Sequence, residues 1–199
     1  MPPQTPYETA ISDLVVANRI LAAEGVLDGF GHVSIRDPRD GGYYLMSRLL
    51  APALVNAADI LQHDLDNRAV HDQGHSLYHE RWIHGEIYKA RPEVNAIVHS
   101  HSPTVVPFAS TKAPLRPILH NASFLGFGTP VFEIRNLIPN SDLMISTAAL
   151  GKALAETLGR RRMSSCCAAT AMSWSVPPSR SPSSAPTTPR SMRANSSTR

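Results

Sequence analysis

Apolar residues recur with helix and strand periods up to about residue 160, and beyond it that order is lost. Helical spacing predicts helices over residues 7–24, 77–90 and 143–158, with Gly25, Pro92 and Gly159 as stop signals. Alternating or continuous apolar runs predict strands over residues 30–36, 43–46, 60–65, 95–101 and 131–135, with hairpin turns at 40–42 and 66–68. Because strands and helices alternate, the predicted class is α/β, with antiparallel pairs.

Residues 161–199 are rich in Ser, Thr, Pro and Arg and have almost no large aliphatic side chains. Such a segment buries too little apolar surface to offset its conformational entropy. The composition therefore predicts a domain over residues 1–160 followed by a disordered tail over 161–199. Seven arginines and no acid lie in residues 160–199, which leaves 12 basic and 16 acidic residues before them. The formal charge of +3 thus comes from the tail, and the domain shows no nucleic-acid footprint.

Composition also narrows the class of protein. A chain of 199 residues can bury the core of one domain. The 2 cysteines, Cys166 and Cys167, are adjacent and cannot build a disulfide framework. No apolar run is long enough for a membrane span, and the N-terminus has no secretory pattern. We therefore expect a cytoplasmic protein without a membrane partner.

Candidate chemistry lies at the end of the predicted strand 95–101. His99 and His101 are two residues apart, so their side chains share one face of a strand and form half of a zinc site. Two such histidines are also common as ordinary surface or satisfied polar residues. Glu80 lies near the start of the preceding helix, where folding back would return it to the strand end as a proton shuttle. It is equally an acid favoured by a helix N-terminus.

Three segments, residues 30–36, 44–48 and 80–101, together resemble the class II aldolase/adducin family. The most specific is the last, which has a helix led by Glu80, an Arg-Pro stop, an apolar strand and His-x-His in the family's order. The resemblance implies a central, mainly antiparallel sheet with helices on both faces. It also implies a zinc-dependent lyase for a small-molecule substrate, assembled as a homotetramer.

The resemblance assigns roles to individual residues. His99 and His101 correspond to two of three zinc-ligating histidines, and Glu80 to the catalytic acid/base. Substrate loops are implied at Gly31, His32, Ser47 and Arg48.

Several positions depart from the sugar-phosphate members of the family. His32 replaces an Asn, Arg48 replaces a Gly, and Tyr78 and His79 replace two phosphate-binding serines. Arg48 therefore suggests a substrate carboxylate, although a solvated arginine at a strand end explains it equally well. His79, next to Glu80, is a further candidate for substrate contact. The implied reaction breaks a C–C bond, by retro-aldol cleavage or decarboxylation, through a metal-stabilised enolate.

The third zinc histidine of the family is missing, since no histidine follows His120. Read one base out of frame, the codons of residues 168–171 can encode Gly-His-Gly, the turn that carries this ligand in the family. Residues from about 161–163 onward are therefore predicted to be a frameshift product, with the C-terminal part of the fold missing. His120 and the two cysteines are poor substitute ligands.

Other interpretations remain open at this stage. The chain is alternatively a non-catalytic, adducin-like scaffold or an inactive truncated copy, and the basic tail alone would suit binding to RNA or a membrane. The remaining histidines at positions 63, 71, 75 and 84 are predicted to be surface or helix residues.

Overall fold

The computed structural model describes residues 4–71, 74–160, 164–167 and 172–176, with side chains as far as residue 160. Helices and strands alternate along the chain. The helices are α1 (Pro6–Ala23), α2 (Trp82–Ala90), α3 (Val106–Ser110) and α4 (Ala148–Leu158). The strands are β1 (His32–Arg36), β2 (Tyr43–Ser47), β3 (Ile60–Asp64), β4 (Ala96–Ser100), β5 (Val131–Phe132), β6 (Ser164–Cys167) and β7 (Met172–Val176).

The strands form one sheet in the order β3-β2-β1-β4-β7-β6-β5, in which only the β5–β6 pair is parallel. Because side chains alternate along a strand, β2 contributes Leu45 to one face and Tyr44 to the other. Helix α1 covers the first face, where Leu14 lies in the same cluster as Leu45. Helices α2 and α4 cover the second face, where Leu154 clusters with Tyr44. The predicted antiparallel sheet with helices on both faces is confirmed.

Local chemistry explains where these elements begin and end. Thr5 and Glu8 form a capping box at the start of α1, and Gly25 follows it with a φ of 67°. At the hairpin between β1 and β2, the Asp40 carboxylate accepts a hydrogen bond from the N–H of Gly42. The third predicted helix begins at residue 148 rather than 143, because the Thr147 hydroxyl caps α4 and the residues before it form turns. This shortening places the N–H of residue 145 at the candidate site.

Strands β6 and β7 lie in the segment for which the pattern predicts no structure. The backbone of β7 pairs antiparallel with β4, placing Ser173 opposite His99, and β6 pairs with β7. Strand pairing uses main-chain groups, so an unpaired edge of β4 can recruit a strand of almost any composition. The prediction of a disordered tail over residues 161–199 differs from the structure at these two strands. The other residues of that segment lie outside the residues that the structure describes. The boundary at residue 160 and the frameshift stay predictions.

Among the helices of the described residues, none has both the length and the apolarity needed to cross a bilayer.

Candidate active site

Glu80 and His99 meet where the start of α2 approaches the end of β4. Glu80 lies in the short 3-10 turn His79–Arg81 that leads into α2, and its Oε2 is 3.1 Å from Nε2 of His99. The other carboxylate oxygen accepts a hydrogen bond from the N–H of Ile145 at 3.2 Å. Burial acts to raise the pKa of Glu80, but the hydrogen bonds and charge of His99, with the Ile145 N–H, outweigh it and lower the pKa. Glu80 is therefore an ionised base at neutral pH.

His101 approaches the same carboxylate from beyond the end of β4. Its Nε2 lies 4.0 Å from Oε2 of Glu80, and its ring is edge-on to that of His99 with centroids 5.0 Å apart. On its other side, Nδ1 lies 3.1 and 3.0 Å from the two carboxylate oxygens of Asp28. A carboxylate only accepts, so Nδ1 of His101 carries a proton and donates it to Asp28, which leaves Nε2 on the side of Glu80. The structure thus brings Glu80, His99 and His101 together.

His32 joins this group from the neighbouring strand. In the β1–β4 pair His32 lies directly opposite His99, and their rings stack with centroids 4.7 Å apart. Donor atoms of His32, Glu80 and His99 all lie within 4.8 Å of one another, a grouping that could hold a metal ion. Gly31 allows this close approach, because a Cβ there would lie 2.8 Å from the Leu27 side chain and 3.1 Å from the carbonyl oxygen of His99.

A buried chain of hydrogen bonds runs from His32 into the core. Nδ1 of His32 is 2.7 Å from Nε2 of His84, and Nδ1 of His84 is 2.6 Å from the Ser34 hydroxyl. The Ser34 hydroxyl is in turn 2.8 Å from the hydroxyl of Tyr88. Burial, followed by the charges of neighbouring histidines, lowers the pKa of both His32 and His84 well below the usual histidine value. Both imidazoles are therefore neutral.

The other predicted substrate-binding residues surround this centre at varying distance. Ser47 is buried at the end of β2, and its hydroxyl has no hydrogen-bond partner in the part of the chain that the structure describes. Arg48 is partly exposed and its Nε donates to the Asp59 carboxylate at 2.7 Å. His79 is exposed beside Glu80. The structure therefore places Arg48 in an ion pair with Asp59. That pair offsets part of the positive charge of Arg48 that was predicted to bind a substrate carboxylate.

Sequence reasoning missed several residues that support the site. His63 and His84 are both fully buried. The prediction of a surface or helix residue is therefore wrong for His63, which lies in β3. His84 does lie in a helix, α2, but on its buried side. No sequence signal marked His84, whose ring nitrogens meet His32 and Ser34 rather than Glu80. Asp28 and the N–H of Ile145 carried no such signal.

A family model and several known proteins resemble this chain in sequence. The model of the class II aldolase and adducin N-terminal domain matches residues 12–171. The decarboxylase tropJ of Talaromyces stipitatus is 37% identical over 161 residues, covering 78% of this chain and 59% of that protein. The 3,4-dihydroxyphthalate decarboxylase of Arthrobacter keyseri is 34% identical over 145 residues, covering 65% and 57%. The chain thus spans less than two thirds of the length of these relatives.

The fold has solved counterparts as well. The L-fuculose 1-phosphate aldolase from Glaciozyma antarctica PI12 superposes with a TM-score of 0.69 at 22% identity, covering 88% of this chain and 68% of that one. The domain match over residues 12–171 shows the family, and the superposition shows the fold. This chain belongs to the class II aldolase and adducin N-terminal domain family.

Proposed function

We propose that the protein is a metal-dependent carbon–carbon lyase that removes carbon dioxide from a hydroxylated aromatic carboxylate. The observation that carries this proposal is the convergence of Nε2 of His99 and Nε2 of His101 on one carboxylate oxygen of Glu80. A scaffold needs no such grouping of a buried base and two imidazoles. The two curated relatives described above, both named as decarboxylases, support the reaction class over aldol cleavage.

The residues present fit a divalent cation, which we propose is zinc. Imidazole nitrogen and carboxylate oxygen are donors that zinc accepts, and His99, His101 and Glu80 direct such atoms toward a shared region. When bound there, the cation would stabilise negative charge on a substrate oxygen. His99, His101 and Glu80 are the residues that would hold it.

The proton is moved by Glu80. As an ionised carboxylate, Glu80 takes the proton of a substrate hydroxyl at Oε2. The bond between the ring carbon and the carboxylate then breaks, carbon dioxide leaves, and the electron pair stays on the carbon. Glu80 returns its proton to that carbon, and the substrate oxygen regains a proton from solvent. The N–H of Ile145 holds Oε1 throughout and so keeps Oε2 directed to the reacting atoms.

The remaining site residues suit an acidic substrate. Arg48 would bind a second carboxylate through the guanidinium nitrogens that do not meet Asp59, and Ser47 would offer its buried hydroxyl. Gly31 and His32 would form the wall beside the substrate, with His79 at its exposed side. The homotetramer implied by the family resemblance and the cytoplasmic location expected from the composition remain part of the proposal.

The test is a direct comparison of two substrates. Protein supplied with zinc is incubated with 3,4-dihydroxyphthalate and, separately, with L-fuculose 1-phosphate, and the products are followed by chromatography. We expect the monocarboxylate and carbon dioxide from the first and no cleavage of the second. Glu80→Gln should lower the rate by at least about 100-fold while Glu93→Gln, an exposed acid outside the site, should not. Cleavage of the sugar phosphate alone would replace the proposal with an aldolase.

A further inference from the structure

The buried hydrogen-bond chain behind His32 has a direction, because it ends in two hydroxyl groups. Ser34 and Tyr88 each have one proton to donate, and both residues are buried. Among the described residues, the Tyr88 hydroxyl has one hydrogen-bond partner, the Ser34 oxygen. A buried hydroxyl proton without an acceptor is costly, whereas an unused lone pair is much less so. Tyr88 therefore donates to Ser34.

The rest of the chain follows from that first donor. Ser34, already accepting from Tyr88, donates its own proton to Nδ1 of His84, at the short distance of 2.6 Å. His84 then has its proton on Nε2 and donates it to Nδ1 of His32 at 2.7 Å. A neutral imidazole that accepts at one nitrogen carries its proton on the other. The opposite direction would leave the Tyr88 proton without an acceptor in the described part of the core.

We propose that His32 presents an Nε2–H donor to the active site, held in that tautomer by His84 and Ser34, and that this donor binds an oxygen of the substrate. His32 would then be a catalytic residue that contacts substrate, and not a metal ligand, although its nitrogens lie near Glu80 and His99. His84 and Ser34 are positioning residues, which act through His32. This inference rests on the proposed function for the identity of the substrate oxygen, but the tautomer does not depend on it.

A neutral imidazole donor suits the proposed chemistry. When carbon dioxide leaves, negative charge develops on an oxygen conjugated with the reacting carbon, and a preorganised N–H stabilises that charge. Neutral histidine serves in this way as an electrophile where its environment keeps it unprotonated. His32 is 1% exposed and its ring packs against those of Tyr78 and His99, which restricts the direction of the donor.

Nitrogen-15 NMR reads the tautomer directly. Long-range proton–nitrogen correlations are recorded on labelled full-length protein at neutral pH without added metal, and His32→Gln and His84→Gln identify the two rings. We expect both rings to be neutral, with protonated Nε2 and unprotonated Nδ1. Protonated Nδ1 on His32 would overturn the proposal, since Nε2 would then be a lone pair suited to a metal. A doubly protonated His32 would overturn it as well.

Two variants test the positioning residues. Ser34→Ala removes the donor to His84, so both rings should populate a mixture of tautomers. Tyr88→Phe leaves Ser34 with its proton and His84 as acceptor, so the wild-type tautomer should persist. An unchanged tautomer in folded Ser34→Ala would remove Ser34 from the proposal. If that variant does not fold, a tautomer lost in Tyr88→Phe would contradict the assigned direction.

Kinetics separate this inference from the proposed function. If the wild-type protein turns over the aromatic acid, His32→Gln should lower kcat by about 100-fold and change KM much less, because the donor acts on charge that develops in the transition state. An unchanged kcat in that variant would overturn the catalytic role of His32. Absence of turnover in the wild-type protein would defeat the proposed reaction, while the NMR result would still decide the tautomer.

Discussion

The carboxylate of Asp28 lies 3.0 Å from Nδ1 of His101, on the side of the ring opposite the active site. The same carboxylate accepts hydrogen bonds from the N–H groups of Phe30 and Gly31, at 2.9 and 2.7 Å. Asp28 therefore connects the glycine loop before β1 to the histidine beyond β4. Burial acts to raise the pKa of Asp28, but these hydrogen bonds outweigh it and lower the pKa, so the carboxylate is ionised.

Replacing Asp28 should weaken metal binding without unfolding the protein. In Asp28→Ala the His101 ring loses the acceptor that fixes its tautomer, and such losses behind a ligating histidine typically cost 10- to 100-fold in metal affinity. Zinc affinity measured by competition with a chromophoric chelator checks this. Asp40→Ala is the matched control, since Asp40 holds a turn through the N–H of Gly42 and contacts no histidine. Equal zinc affinity in the two variants would contradict the assignment.

Gly31 should tolerate no side chain. A methyl group there would lie 2.8 Å from the Leu27 side chain and 3.1 Å from the His99 carbonyl, and one of those contacts is backbone of the site strand. We expect Gly31→Ala to lower the free energy of unfolding by about 1–3 kcal/mol and to displace His32 from His99. Gly29→Ala is the control, because a Cβ at that position meets no atom within 4 Å. Urea denaturation of both variants measures the difference, and similar midpoints would show that the loop relaxes.

The approach of Glu80 to His99 could be predicted from the sequence, whereas the residues packed around them could not, for physical reasons. His99 and Glu80 could be placed together because a helix followed by a strand has few ways to fold back, and the alternation of a strand defines its faces. The buried positions of His63 and His84 could not be predicted, since a histidine in the core is distinguished by its partners and not by its neighbours in sequence. The hydrogen bonds that connect His84 to Tyr88 pass through Ser34 of β1, and they join residues up to 54 positions apart in the sequence. Strand β7 was missed because its pairing depends on the backbone and not on an apolar pattern.

His63 should contribute, alongside the buried His32 and His84, to a decline of stability in mild acid. Burial, with a smaller contribution from the charge of Arg81, lowers the pKa of His63 to about 4, against the hydrogen bond to the Leu61 carbonyl and the charge of Asp64. In the unfolded chain the His63 ring takes up a proton near pH 6.5, whereas in the folded protein it does so only near pH 4. The contribution of His63 to the free energy of unfolding is therefore complete above pH 6.5 and is lost as the pH falls toward 4. The shift corresponds to about 3 kcal/mol.

The measurement is the free energy of unfolding in urea at pH 7.5, 6, 5 and 4.5. His63→Gln should lower stability at pH 7.5 but lose less than the wild-type protein between pH 6.5 and 4.5. His120→Gln, at an exposed position, should follow the wild-type slope. Parallel slopes for all three proteins would exclude His63 as a source of the acid sensitivity.

Zinc content should differ between this chain and a version in which the predicted frameshift is reversed. The chain as written offers His99, His101 and Glu80 to a cation, whereas the restored frame adds a third histidine by prediction. A structural or catalytic zinc with three ordered imidazoles is held far more tightly than one with two, because the missing donor is replaced by water. We expect close to one zinc per restored chain after dialysis and much less per chain as written, measured by atomic emission. One zinc in both would mean that a residue such as His32 supplies the third imidazole. That result would contradict both the predicted effect of the frameshift and the proposed Nε2–H donor.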